Sequence, residues 1–153
     1  MSRLTEAHAR RVAEAAATMP SFTASRTWEP VDAGTLLARL TGAVPAWRDG
    51  ALAHAEPRVA VALPGPVFPV LGDYATLRER AEQDPFSFTA AELAGATFTV
   101  WGLESGLDWL TPPLLPRQGA GLGVGRAGLT LVADARALSP ADADALLSAA
   151  TAR

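Results

Sequence analysis

The stretch Ala96-Thr97-Phe98-Thr99-Val100-Trp101-Gly102-Leu103 carries the clearest strand signal in the chain. Thr97, Thr99 and Trp101 alternate with Phe98 and Val100, the period-two pattern of a strand with two distinct faces. Glu104-Ser105-Gly106 has turn chemistry, so Leu107 to Leu110 is expected to return as a hairpin partner. Pro112, Pro113 and Pro116 then force an extended connector over residues 111–118, too short to link two domains. A glycine-rich stretch, Gly119 to Gly128, leads into a further strand, Leu129 to Ala133. Ser139 and Pro140 open a last helix, with Asp142 completing a capping box.

Upstream, Arg58 to Leu63 reads RVAVAL, a strand covered on one face or both. Pro64-Gly65-Pro66 makes a turn, and Pro69 inside the next extended piece, Val67 to Leu71, places that piece at a sheet edge. Residues 3–17 read as a helix, with Leu4, His8 and Val12 on one seam and a Glu6–Arg10 pair on another face. Residues 20–30 read as a loop. Asp32 caps a second helix bearing Leu36, Leu37, Leu40 and Val44, and Trp47 is expected to lie over it as a lid. Asp73 caps a helix running to Glu82, and Thr89 with Glu92 forms a capping box for a short one.

This order predicts an α+β fold. It has an antiparallel or mixed sheet of about five to six strands, helices packed mainly on one face, and helices at both termini. Residues 1–153 are expected to form one domain.

Composition narrows the chemistry. The chain has no Cys, Lys, Ile or Asn, and all 13 basic residues are Arg, a bias that fits a GC-rich bacterial genome. Without Lys there is no Schiff base or phosphate-loop lysine; without Cys there is no thiolate, no disulfide and no Cys-containing zinc site. The charged N-terminal residues, and an apolar stretch from Val59 to Leu71 too short and too proline-rich to span a bilayer, point to a cytoplasmic protein with no membrane partner. A net charge of −3 with scattered arginines disfavours nucleic acid.

The motifs fail their own context tests. Gly123-Val124-Gly125-Arg126-Ala127-Gly128 matches G-x-G-x-x-G, but prolines precede it and a strand follows, where a dinucleotide site needs a strand before and a helix after. A glycine-rich hairpin, whose backbones either pack closely or stay mobile, accounts for these glycines better. Leu103-Glu104-Ser105-Gly106 lacks the glycine a nucleophile elbow needs two residues before its serine. Any general base would have to be His8, on the helix seam with one nitrogen satisfied, or His54, in a polar loop. Asp142 and Asp144 point to different sides of their helix, so no metal site is expected there, and no cofactor is implied. Pro113-Leu114-Leu115-Pro116 is a bare P-x-x-P.

What remains is the hairpin region. Trp101 and Trp109 flank one turn, with Glu104, Asp108, Arg117 and Arg126 near in sequence. If they share a surface, it would suit a protein partner, a small ligand or a second copy of the chain. The leading expectation is therefore a non-catalytic binding or interaction module, self-associating as a homodimer. The alternative is a small enzyme that uses Glu104 or Asp108 as acid or base on an anionic substrate. A third reading, nucleic-acid binding by arginines clustered in the fold, ranks last.

Overall fold

The computed structural model describes residues 3–18, 20–44, 58–63 and 69–153. The expectations for Trp47, for His54 and for the Pro64-Gly65-Pro66 turn lie outside these residues.

The elements run α1 (Arg3–Thr18), β1 (Ser21–Thr27), α2 (Ala33–Ala43), β2 (Val59–Ala62), β3 (Pro69–Leu71), α3 (Tyr74–Gln83), α4 (Ala90–Leu93), β4 (Phe98–Trp101), β5 (Ala120–Val124), β6 (Gly128–Asp134) and α5 (Pro140–Ala150). The strands form one mixed sheet in the order β1-β6-β5-β4-β2-β3. The α+β fold with helices at both ends is thus what the sequence predicts, and Pro69 sits on an edge strand, where a missing N–H costs no ladder bond.

The helix starts obey their caps. Asp32 accepts the Thr35 backbone N–H at 2.9 Å and Asp73 that of Thr76 at 3.1 Å, while both predicted capping boxes, Thr89 with Glu92 and Ser139 with Asp142, are closed. Strand alternation then sorts the core. Phe98, Val100, Leu122, Leu129 and Leu131 join Leu36 and Leu40 of α2, Leu77 of α3 and Leu146 and Leu147 of α5 in the main cluster. Each such leucine, removed from water, contributes about 1.5–3 kcal/mol. Trp101, one residue out of phase with Val100, belongs to a smaller cluster with Ala62 and Leu115, against which Val12 of α1 packs. The sheet is therefore covered on this second face by α1 and by the chain that follows β4.

Three local expectations are corrected. β4 has no hairpin partner at Leu107 to Leu110, because it pairs in parallel with both β2 and β5. A parallel neighbour requires a crossover, and residues 102–119 supply it without a helix. The glycine-rich stretch is not only a lead-in: Ala120–Val124 is an interior strand, buried at every position. The loop expected at residues 20–30 contains β1, whose burial alternates strictly because Phe22 and Ala24 face the core.

The crossover and the glycine strand are two halves of one feature. A Cβ built on Gly121 would stand 2.8 Å from the Pro113 carbonyl oxygen, one on Gly123 1.9 Å from that of Leu110, and one on Gly125 2.1 Å from that of Asp108. Residues two apart share a strand face, so these glycines form a lane in which the proline-rich connector lies backbone to backbone.

Candidate functional site

The crossover distributes the sequence-selected residues over three places. Beside the turn between β5 and β6, the carbonyls of Leu107 and Asp108 accept the N–H groups of Arg126 (2.7 Å) and Ala127 (3.0 Å). There Asp108 pairs with Arg126 at 3.0 Å, both largely in water. Trp109 lies over Gly128, where any Cβ would meet its ring at 2.3 Å, and 45% of it is exposed.

Glu104 belongs to a neighbouring cavity of about 310 Å³, lined among others by Trp28, Val31, Leu36, Leu103 and Arg126. Its backbone is left-handed, with φ of +65°. One carboxylate oxygen accepts the Tyr74 hydroxyl at 2.8 Å and lies 3.2 Å from Arg78 Nε. Burial, followed by this carboxylate, pushes the Tyr74 hydroxyl up to about 12, so it stays a proton donor at neutral pH. The arrangement clasps the β4 end to α3. Glu104 and Asp108 do not act as a carboxylate pair, since each takes a different arginine.

Trp101 and Arg117 lie elsewhere. Trp101 is 4% exposed, its ring 5.4 Å from that of His8, and neither its Nε1 nor His8 Nδ1, both buried, has a hydrogen-bond partner among the described residues. Arg117, also left-handed with φ of +64°, lines a second cavity of about 460 Å³ with Arg11 and Gln118. Sequence reasoning missed Gln118, Tyr74 and Arg78, which carry no motif and acquire roles only through neighbours distant along the chain. Among the described residues no three metal-ligating side chains converge, and no helix is long and apolar enough to cross a membrane.

His8 makes a pH prediction. Burial, then the charge of Arg11, lowers its pKa from 6.5, so the folded state favours the neutral ring. The unfolded chain then binds a proton first as pH falls, so this contribution to stability is complete above 6.5 and declines through the lower folded value. Thermal melts between about pH 7 and pH 5 should show a steeper loss for the native chain than for His8→Phe. Equal slopes would show that His8 is not held neutral.

The fold is shared with solved core domains of 2-oxoacid dehydrogenase complexes. The chain superposes on a truncated catalytic core of the 2-oxoacid dehydrogenase multienzyme complex from Thermoplasma acidophilum with a TM-score of 0.78 and 17% identity, covering 99% of this chain and 94% of that one. It superposes likewise on a dihydrolipoamide acetyltransferase from Azotobacter vinelandii (TM-score 0.74, 16% identity, 99% and 88% covered). In that enzyme's catalytic mechanism a serine, a histidine and an asparagine have been investigated. The cubic core of the pyruvate dehydrogenase multienzyme complex is a third such structure (TM-score 0.75, 17% identity, 99% and 88% covered). No protein-family model and no curated protein sequence matches the chain.

These likenesses establish the fold. They also correct the expectation of a generic binding module, and with it the carboxylate-enzyme and nucleic-acid alternatives, because the structural neighbours are chains of 2-oxoacid dehydrogenase complex cores.

Proposed function

We propose that this chain is a self-assembling core subunit built on the acyltransferase-core fold, without the acyl-transfer apparatus of the Azotobacter enzyme. The observation that carries this reading is the extent of the likeness: nearly the whole chain matches nearly the whole of one chain of a truncated catalytic core. Its own surface supports association. Among the described residues β1 pairs only with β6 and β3 only with β2, which leaves two open sheet edges. Phe86, Leu107 and Trp109 present large apolar side chains to water.

The second half of the reading rests on composition. The histidine and asparagine investigated in the Azotobacter enzyme stand four positions apart. This sequence contains no asparagine, and the residues four beyond His8 and His54 are Val12 and Arg58. His8 is half-buried against Trp101.

Light scattering coupled to size exclusion is expected to give a defined multiple of the 15.9 kDa chain mass, stable on dilution. A monomer at every concentration would overturn assembly. Transfer of an acetyl group from acetyl-coenzyme A to dihydrolipoamide is expected to run no faster than without protein. Turnover in that assay would overturn the loss of acyl transfer.

A further inference from the structure

The cavity of about 460 Å³ lies where the N-terminal ends of β4 and β5 meet α1, and its walls include Arg11, Glu14, Pro69, Gly95, Arg117 and Gln118. Six arginines elsewhere pair with carboxylates: Arg26 with Asp144, Arg78 with Glu104, Arg80 with Glu92, Arg126 with Asp108, Arg136 with Asp134 and Arg153 with Glu29. Among the described residues, Arg11 and Arg117 have no carboxylate within ion-pair distance. Arg58, equally without one, lays its guanidinium against Gly95, 2.5 Å from where a Cβ would stand. Two guanidinium groups without a carboxylate partner, one from α1 and one from the crossover, thus line one concavity in a protein whose net charge is −3. Glu14 is the single acid in the lining.

Two further features mark a built site. Gln118 is 97% buried on the cavity wall, and its Oε1 accepts the Thr99 hydroxyl at 2.6 Å. That bond fixes the amide, and among the described residues no acceptor takes up its nitrogen, which remains as a neutral donor beside the cations. Arg117, next to it, is held at a φ that an L-residue adopts only against steric cost, and such strain concentrates at ligand clamps.

We propose that this cavity binds a small organic oxyanion. Arg11 and Arg117 neutralise the anionic group, and the Gln118 amide donates to it. Carboxylate and phosphate present the same acceptor geometry to a guanidinium, and the volume leaves room for a short chain behind the charged head.

Calorimetric titration of the full chain in low salt with inorganic phosphate, and separately with succinate, tests this. One of the two is expected to bind, with affinity falling as sodium chloride is raised; the stronger identifies the head group. Arg117→Gly removes the guanidinium and suits the left-handed backbone, so the variant should fold, by circular dichroism, yet bind at least tenfold more weakly. Gln118→Leu should weaken binding with less change in its salt dependence. Binding of neither ion, or equal binding by native protein and Arg117→Gly, would overturn the proposal.

Discussion

Replacing Gly123 by alanine is expected to destabilise the protein by about 3 kcal/mol or more, although only a methyl group is added. The methyl carbon would stand 1.9 Å from the Leu110 carbonyl oxygen and 2.8 Å from its carbon. Both obstacles are backbone atoms, so no rotamer change relieves the clash; the connector or the strand must move. The connector cannot lift at one point alone, because Gly121 and Gly125 hold the same lane against Pro113 and Asp108. Moving it would also uncover Leu115, which is 1% exposed. Gly42 supplies the control: a Cβ there meets nothing within 4 Å, inside α2. Gly42→Ala should therefore stabilise by about 0.5–1 kcal/mol through helix propensity. Urea unfolding of the two variants should shift the midpoint in opposite directions. A Gly123→Ala protein as stable as the native one would show that the connector does not lie on the glycine lane.

This lane also shows what a sequence can and cannot reveal. β4 and β6 are legible because β-branched and aromatic side chains announce strands, and the helices are legible because Asp32, Asp73, Thr89 and Ser139 are local devices. β5 is not, since its strand-forming feature is the absence of side chains. It is a strand because a connector needs the space above it, a reason that lies elsewhere in the chain. β1 escaped for a related cause: Ser21, Thr23, Ser25 and Thr27 make its outward row polar and small, and only Phe22 and Ala24 mark the inward one.

The sites follow the same division. That residues 101–117 carry charged and aromatic side chains is plain from the sequence. Which of them meet is decided by partners far away: Arg78 for Glu104, Arg126 for Asp108, His8 for Trp101. The crossover carries Trp101 to the covered face of the sheet and Arg117 to the opposite strand ends, so the single expected surface divides into three. The meeting of Arg11 and Arg117 has no local signature, because they lie far apart along the chain.

Removal of the Arg136 side chain is expected to be the other costly change, and more costly than removing its partner as well. Asp134 closes β6, and its side chain is 0% exposed. Its carboxylate accepts the Arg136 backbone N–H at 2.9 Å, Nε at 3.1 Å and Nη2 at 2.8 Å. Its backbone carbonyl accepts from Ala137 and Leu138 at 3.0 Å, which folds the chain from the sheet into α5. Arg136→Ala leaves a buried carboxylate with one backbone donor and no counter-charge, at a cost of about 3–5 kcal/mol. Asp134→Ala instead leaves a half-exposed arginine without its aspartate and orphans only a backbone N–H, so its cost should be roughly 1–3 kcal/mol. The double variant should then be more stable than Arg136→Ala alone, because it removes the unpaired charge along with the pair. Urea midpoints for the three proteins, read at unchanged slope, give that order directly. If the double variant were the least stable, the ion pair would be contributing through packing of the turn, and burial of an unpaired charge would not govern the loss.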